Sequence, residues 1–343
     1  MSTHIIEIIE VSQIIQHPNP EVTQLEIIPI KGWQTCVRKG DFKVGDKAIY
    51  IPPDYIVPIS NPSFSFLGTN TKPGITHARI KAKRLKGELS YGLLIHVPES
   101  LSDKPLGSNV IDDLNIQRYE PPVVMEGKST RGQFESPPDL YTPVFDVENF
   151  QSFPDIFVPG EQVILTEKLD GSSARFTFAK SKDGEYKQFV GSRRHWFKED
   201  DKNLYWEAFR QHPIISAWCQ TNPDYVIYGE VFGPVQKLRY GSNGQDIFFA
   251  VFAILYKDGF LDFDEAYNMI APASEFGLQW VPIMYRGPFN IESAKTYSTG
   301  NTTWPNAKHI REGIVIIPEK ERRDHCLGRV ILKMINPDYL IQS

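Results

Sequence analysis

Residues 162–180 read QVILTEKLDGSSARFTFAK, two segments of alternating apolar residues with a charged turn between them. Such alternation is typical of half-buried strands, so we predict strands over 162–168 and 174–180. The pair Asp170-Gly171 would ordinarily be interpreted as a hairpin turn, since Asp-Gly is among the strongest hairpin signals. Taken alone, the stretch leaves a surface turn and a reactive lysine as alternatives.

The same design recurs at three other apolar segments. Lys168 lies shortly after the apolar residues 163–165, and Glu230 lies shortly after residues 226–228. Glu312 lies just before the apolar residues 314–316, and Lys333 lies within the apolar segment 330–335. Lysine and glutamate are seldom buried unless they are paired or functional. A structural salt bridge would explain one such residue. Four of them in one region favour an active site.

Two lysines and three carboxylates favour attack on phosphorus. A lysine amine is nucleophilic only when deprotonated, and its ordinary pKa of about 10.4 prevents this at neutral pH. Desolvation and nearby cations lower that pKa, so we expect a lowered pKa for Lys168. The cations would be a second lysine and a divalent metal ion held by Asp170, Glu230 and Glu312. Hard oxygen ligands favour Mg²⁺ or Mn²⁺ over zinc.

With these residues the chain resembles the covalent nucleotidyltransferases, the superfamily of ATP-dependent ligases and mRNA capping enzymes. The matching segments follow one another as Glu167–Gly171 (motif I), 192–193 (motif Ia), 228–233 (motif III), 248–254 (motif IIIa), 312–316 (motif IV) and 332–336 (motif V). The resemblance implies that Lys168 takes AMP from ATP. The chain departs from many members of this superfamily at Ile335, where they carry a second lysine of motif V.

The resemblance also implies a role for each matching residue. Lys168 and Lys333 would be catalytic; Glu167, Lys168, Arg193, Glu230, Phe252 and Lys333 would bind ATP; Asp170, Glu230 and Glu312 would bind Mg²⁺ or Mn²⁺. Glu167 would accept a hydrogen bond from the exocyclic amine of adenine. Phe252 would stack on the adenine ring or, alternatively, belong to the core.

Short strands separated by turns predict a small β-barrel over residues 1–120, of the oligonucleotide-binding (OB) type. Residues 121–343 predict a mostly antiparallel nucleotidyltransferase domain, so the fold class is α+β. The first domain carries the cluster Arg79, Lys81, Lys83, Arg84 and Lys86, on one predicted strand over 78–85 and just beyond it. This cluster would track phosphates of a nucleic acid or would be an ordinary solvated strand face.

The order of domains, with the barrel first, resembles the nick-sealing RNA ligases typified by the Naegleria and Deinococcus enzymes. We therefore expect an ATP-dependent RNA ligase that joins 3′-hydroxyl and 5′-phosphate ends of RNA, at nicks in duplexes, through lysyl-AMP and RNA-adenylate. One alternative is an inactive, ligase-like module that binds RNA or tRNA. The other is a capping-type guanylyltransferase, disfavoured because the chain ends at Ser343 without a second barrel.

Composition sets the expected compartment. The formal net charge is −5, which argues against indiscriminate binding to nucleic acids. The three cysteines are far apart and in no metal-binding spacing, as in proteins of reducing compartments. Charged residues interrupt the first twenty residues, so we expect no signal peptide or membrane span. We expect a cytoplasmic monomer.

Overall fold

The computed structural model describes residues 6–53, 55–70, 74–119 and 127–342, without the side chains of residues 69 and 70. The chain divides into two compact units. The first comprises Met1–Pro121, Phe150–Pro154 and Pro337–Ser343, and the second comprises Pro122–Asn149 and Asp155–Asn336. The predicted domain boundary between residues 120 and 121 lies outside the described residues.

The first unit is built of short strands. They are β1 (Glu7–Glu10), β2 (Ile15–Gln16), β3 (Leu25–Ile30), β4 (Trp33–Arg38), β5 (Lys47–Ile51), β6 (Tyr55–Pro58), β7 (His77–Arg79), β8 (Ala82–Leu85), β9 (Glu88–Tyr91), β10 (Leu93–His96) and β11 (Gln117–Arg118). They pair antiparallel in small sheets ordered β1-β5-β10, β11-β6-β7, β2-β3-β4 and β8-β9. Short 3₁₀ helices span Pro62–Asn70, Glu99–Leu101 and Phe150–Ser152.

Strand β5 lies at the centre of the first unit because both of its faces are apolar. Ile49 and Ile51 pack into one hydrophobic cluster, together with Ile8 of β1. Ala48 and Tyr50, on the opposite face, pack into a second cluster. Successive side chains of a strand point to opposite faces, so a strand between two clusters has no polar face.

The second unit contains the remaining elements. Its strands are β12 (Phe134–Glu135), β13 (Glu148–Asn149), β14 (Gln162–Lys168), β15 (Gly171–Lys180), β16 (Tyr186–Ser192), β17 (Trp196–Phe197), β18 (Tyr225–Phe232), β19 (Phe248–Tyr256), β20 (Gly259–Phe260), β21 (Gln279–Trp280), β22 (Ile283–Pro288), β23 (Gly313–Pro318), β24 (Arg323–Asp324), β25 (Gly328–Arg329) and β26 (Leu332–Ile335). Its helices are α1 (Leu204–Gln211), α2 (Pro213–Thr221), α3 (Phe263–Ile270) and α4 (Ile291–Ser298), with a 3₁₀ helix over Ala271–Phe276. The last helix, α5 (Pro337–Gln342), belongs to the first unit.

Two sheets organise the second unit. The larger has the order β12-β17-β16-β15-β18-β19-β20, with β21 also paired to β19, and the smaller has the order β13-β26-β23-β14-β22. Among the described strands of these sheets, only the pairs β13–β26 and β19–β21 are parallel. One large hydrophobic cluster takes side chains from both sheets, for example Ile164 and Ile317 from the smaller and Phe176 and Ile227 from the larger.

The segment between β14 and β15 is not a hairpin. Strand β14 pairs with β22 and β23 of the smaller sheet, whereas β15 pairs with β16 and β18 of the larger sheet. The residues Lys168 to Gly171 therefore carry the chain from one sheet to the other. Gly171 is needed there because a Cβ atom would lie 2.3 Å from the carbonyl oxygen of Val231.

Two predicted elements are interrupted in the structure. The predicted strand 78–85 consists of β7 and β8, which belong to different sheets. The predicted helix 201–220 is broken between α1 and α2, where Pro213 is the first residue of α2. Proline disfavours helical backbone at the residue before it, here His212. None of the helices in the described ranges has the length and apolar character needed to span a bilayer.

Candidate active site

Lys168 is the last residue of β14 and faces the neighbouring strand β23. It lies opposite Gly313, so Glu312 precedes the paired residue. The Lys168 ammonium (Nζ) is 2.7 Å from Oε1 of Glu312. A Cβ atom on Gly313 would come within 2.3 Å of the carbonyl oxygen of Met334, so glycine lets the strands approach closely here. The pair forms because β14 and β23 are antiparallel neighbours.

Strand register adds the second predicted lysine to this face. Lys333 lies opposite Val315 of β23, and Val315 lies opposite Thr166 of β14. Side chains two residues apart on a strand share a face, so Lys333 and Lys168 point to the same side of the smaller sheet. Ile335 lies in the same row as Lys168 and is buried.

The larger sheet contributes Glu230. This residue of β18 lies between Ser173 of β15 and Ala250 of β19. Burial raises the pKa of Glu230 to about 8. The positive charge of Lys168 acts to lower this pKa, and the negative charges of Glu312 and Asp170 act to raise it.

Glu312 has a similarly raised pKa of about 7. Burial is the main cause, the charge of Lys168 opposes it, and Asp170 adds to it. The second carboxylate oxygen of Glu312, Oε2, is buried and has no hydrogen-bond partner within the described part of the chain. An uncompensated carboxylate oxygen beside two other carboxylates suits a hard divalent cation.

Asp170 is held by the segment after β18. Its Oδ2 accepts a hydrogen bond from the backbone N–H of Leu238 at 3.0 Å, and its own N–H donates to Oη of Tyr240 at 2.7 Å. The N–H of Tyr240 in turn donates to Nε2 of His309 at 3.3 Å. Sequence analysis did not single out Tyr240 or His309, since nothing local marks an aromatic residue that positions a carboxylate 70 residues away.

The three carboxylates set the electrostatic state of Lys168. Burial acts to lower the pKa of Lys168, but Glu312, Glu230 and Asp170 outweigh it and hold the pKa above its ordinary value. The expected lowered pKa depends on a divalent cation bound by these carboxylates, so it stays a prediction. Three carboxylates around one ammonium stabilise its charged form more than desolvation opposes it.

Glu167 occupies the opposite face of β14 from Lys168, by the alternation of the strand. It is buried, and its Oε2 accepts hydrogen bonds from the backbone N–H and the hydroxyl of Thr303 at 2.8 and 2.9 Å. Its Oε1 is buried without a hydrogen-bond partner in the described ranges. Thr303 was not predicted, because the contact spans 136 residues and no local pattern indicates it.

The other two predicted ATP-binding residues have different surroundings. Arg193 forms an ion pair with Asp146, and its positive charge acts on Glu230. Phe252 is half-buried and packs against two hydrophobic clusters. It lies at a register shift, since Tyr228 and Gly229 pair with the residues on either side of it. Its packing fits a core residue, and the structure gives no contact that assigns it to a base.

The basic cluster lies in the first unit, on two strands of different sheets, the residues between them and the turn that follows. The guanidinium of Arg79 stacks over the ring of Tyr119 at 4.0 Å, and Arg84 pairs with Asp338 at 2.9 Å. Lys81 and Lys83 are exposed. Lys86 is in the tight turn between β8 and β9, with a positive φ of 53°. The predicted continuous alternation over 79–86 is wrong because two separate strands and a turn divide these residues.

Comparison with known proteins agrees with this geometry. A family model described as RNA ligase matches residues 161–335, and an OB-fold domain model matches residues 6–97. No curated protein sequence gives a significant match.

Solved structures of Naegleria gruberi RNA ligase resemble the whole chain. The complex described as "with PPi" is 25% identical with a TM-score of 0.80, covering 99% of this chain and 98% of that one. A lysine-to-alanine mutant "with ATP and Mn" is 24% identical with a TM-score of 0.80, covering 99% of each chain. A glutamate-to-alanine mutant "with AMP and Mn" is 24% identical with a TM-score of 0.79, covering 99% of this chain and 98% of that one.

These matches confirm the predicted α+β class, with an OB-fold domain first and a mostly antiparallel domain after it. The family model covers more than half of the chain and includes every residue from Lys168 to Lys333. The chain belongs to the RNA ligase family.

Proposed function

We propose that this protein is an ATP-dependent RNA ligase that joins 3′-hydroxyl and 5′-phosphate ends at nicks in duplex RNA. The observation that carries the proposal is the contact between Lys168 and Glu312 at 2.7 Å, beside Glu230 and Asp170. The Naegleria gruberi enzyme, with ATP and Mn in its solved structures, supports ATP and a divalent metal ion as the cofactors.

Lys168 acts as the nucleophile in the first step. Its Nζ attacks the α-phosphorus of ATP after losing the ammonium proton, pyrophosphate leaves, and lysyl-AMP forms. The AMP then passes to the RNA 5′-phosphate, and the 3′-hydroxyl displaces it to close the phosphodiester. Each step is an in-line displacement at phosphorus, so positioning and electrostatic stabilisation are the main contributions of the protein.

The three carboxylates supply the hard oxygen ligands of a metal site, although their oxygens do not all lie within 4.8 Å of one another in the described structure. Mg²⁺ or Mn²⁺ bound by Asp170, Glu230 and Glu312 would neutralise these groups and the phosphate under attack. Without their negative charges, the attraction that raises the pKa of Lys168 is lost and burial favours the neutral amine. Lys333, on the same sheet face, would stabilise charge on the α-phosphate.

The remaining assignments extend this proposal. Arg193 would hold a phosphate, and Glu167 would accept a hydrogen bond from the adenine amine through Oε1, which has no hydrogen-bond partner in the described ranges. Phe252 would stack on the adenine ring, the alternative being that it is a core residue. Residues 1–120 would form the nucleic-acid-binding domain and residues 121–343 the adenylyltransferase domain. Three cysteines that are all free thiols agree with a reducing compartment such as the cytoplasm, where the protein would work as a monomer.

Capture of the nucleotide on Lys168 tests the proposal. We expect the wild-type protein to retain label from α-labelled ATP, and not from α-labelled GTP, after denaturing electrophoresis with Mg²⁺ or Mn²⁺. Lys168→Ala should retain none, whereas Lys180→Ala, an exposed lysine of β15, should label normally. Label on Lys168→Ala would contradict the assignment of the nucleophile, and label from GTP alone would favour a guanylyltransferase.

A further inference from the structure

Phe134 is an aromatic side chain that the second unit leaves largely open to solvent. It is 63% exposed although it lies in β12 and pairs with Phe197 of β17. Its ring stacks on the ring of His195, with 4.6 Å between centroids and 26° between planes. His195 is exposed too. The two rings together present a flat aromatic surface at the edge strand of the larger sheet.

The turn that carries His195 also carries Arg193. In this turn the N–H of Ser192 donates to the carbonyl oxygen of His195 at 2.8 Å. The Ser192 hydroxyl accepts from the N–H groups of Arg194 and His195 at 3.3 and 3.1 Å. Arg193 pairs with Asp146, and its charge acts on Glu230 of the candidate active site. One tight turn therefore links the aromatic surface to the candidate active site.

A ladder of rings fixes the aromatic surface to the segment that follows Lys168. The ring centroids of Phe134 and Phe197 are 5.9 Å apart. Phe197 in turn stacks on Tyr205, with 5.7 Å between ring centroids and 7° between ring planes. The Tyr205 hydroxyl is 2.9 Å from the hydroxyl of Ser172. Packed rings hold the exposed pair in a defined position, so it needs little ordering when it binds a ligand.

Two exposed cationic side chains flank the aromatic surface. Arg194 and Lys198 are exposed beside it. Of the nearby acidic residues, Glu135 pairs with Lys187 at 3.1 Å. Glu199 and Asp201 instead share one arginine, Arg210, at 3.9 and 3.6 Å. Exposed aromatic rings flanked by guanidinium and ammonium groups are the usual elements of single-stranded nucleic-acid binding.

We propose that Phe134 and His195 form a stacking platform for a base of the RNA substrate that flanks the ends being joined. Arg194 and Lys198 contact the phosphates of that nucleotide. The inference rests on the proposed function and adds a substrate-binding site to it. Every base has a π face and a nick interrupts the strand, so the flanking base unstacks at small cost and binds with little sequence preference.

Binding of a fluorescent nicked RNA tests the platform. The probe is a nicked RNA duplex with 2-aminopurine at the nucleotide flanking the nick, titrated with protein without ATP. We expect Phe134→Ala to weaken binding about 5- to 100-fold and to abolish the quenching caused by stacking. Phe134→Tyr keeps a ring and should retain both signals. Phe276→Ala is the matched control, since Phe276 is another exposed phenylalanine of this unit, 72% exposed.

The outcomes separate the platform from the proposed function. If Phe134→Ala binds and quenches like Phe276→Ala, the platform is overturned. It is also overturned if Phe134→Tyr fails as completely as Phe134→Ala, because the effect would then come from the strand and not from the ring. Lysyl-AMP formation should be normal in all three variants. A wild-type protein that forms no lysyl-AMP would contradict the proposed function while leaving the binding titration interpretable.

Discussion

Lys168 and Glu312 are largely buried charges that shift the pKa of one another. The ammonium is 2.7 Å from the carboxylate, and Glu230 lies close enough for its charge to act on both. The two carboxyl pKa values are raised, whereas those of the more exposed, paired Asp262 and Asp264 are lowered. The carboxyl groups hold protons to about pH 7 and 8, and the lysine pKa rises. A bound cation would lower the pKa of the amine and so favour its neutral, nucleophilic form.

Stability should therefore depend on pH through Glu312 and Glu230. Their folded-state pKa values, about 7 and about 8, lie above the ordinary value of 4.5. Between pH 4.5 and 8 the folded protein thus binds more protons than the unfolded chain, and the free energy of unfolding falls as pH rises. We expect a fall on the order of 1–3 kcal/mol between pH 5.5 and 8.5 in metal-free protein, measured by urea unfolding.

Substitution identifies the groups responsible. Glu312→Gln should flatten the pH dependence, because an amide pays no cost of ionisation in a buried site. Glu275→Gln, at an exposed glutamate, should keep the wild-type slope. Equal slopes in Glu312→Gln and wild-type protein would show that Glu312 titrates as an ordinary carboxyl group.

Strand β15 holds the site together through a buried arginine. Arg175 is 1% exposed, and its Nε donates to the carbonyl oxygen of Ser192 at 2.8 Å. Its Nη1 donates to the carbonyl oxygen of Thr142 at 3.2 Å. These two acceptors lie in the segments that carry Arg193 and Asp146, which form an ion pair. A single element thus positions both members of that pair.

Removal of this guanidinium should destabilise the second unit. Arg175→Met keeps much of the apolar stem but removes the charged donor to the carbonyl oxygens of Ser192 and Thr142, so we expect a loss of about 2–4 kcal/mol in the free energy of unfolding. Arg175→Lys should not restore it, because an ammonium cannot reproduce the planar fork of donors. Lys180→Met, at the exposed end of β15, should change stability by less than about 0.5 kcal/mol. Equal effects at the two positions would argue against this role for Arg175.

At the scale of the whole molecule, the candidate active site and the exposed lysines Lys81 and Lys83 belong to different units. The second unit contains Lys168 and the carboxylates, and the first contains the exposed lysines Lys81 and Lys83. The net charge of −5 gives the protein little general attraction for RNA, so a local pair of lysines should be visible in the salt dependence. We interpret these two lysines as contacts to RNA phosphates.

Neutralising them should change binding but not chemistry. For the double variant Lys81→Ala/Lys83→Ala we expect the slope of log affinity against log salt to fall by about 1–2, since each phosphate contact contributes about 0.9. Lysyl-AMP formation should stay at the wild-type level. Lys39→Ala/Lys43→Ala removes the same charge from exposed positions elsewhere in the first unit. If both double variants have the same slope, Lys81 and Lys83 belong to an ordinary solvated surface.

Local patterns were enough to predict most strands of the site and the residues at their ends. Strand β14 begins and ends where alternation predicts, at Gln162 and Lys168, because alternation is a property of neighbouring residues. The order of charged residues along the chain also indicated the family, since each motif lies within a few residues. Helix α4, capped by Asn290, was missed because its short amphipathic pattern resembles a loop.

Only the tertiary structure decided how these elements meet. The sequence at Asp170 and Gly171 is typical of a hairpin turn. In the structure it crosses between sheets, because β14 pairs with β23 and β15 pairs with β18. The raised pKa of Lys168 depends on carboxylates up to 144 positions away in the sequence. The hydrogen bond from Thr303 to Glu167 likewise joins residues 136 positions apart. Pairing register and electrostatic distance are properties of the folded chain, so no local pattern contains them.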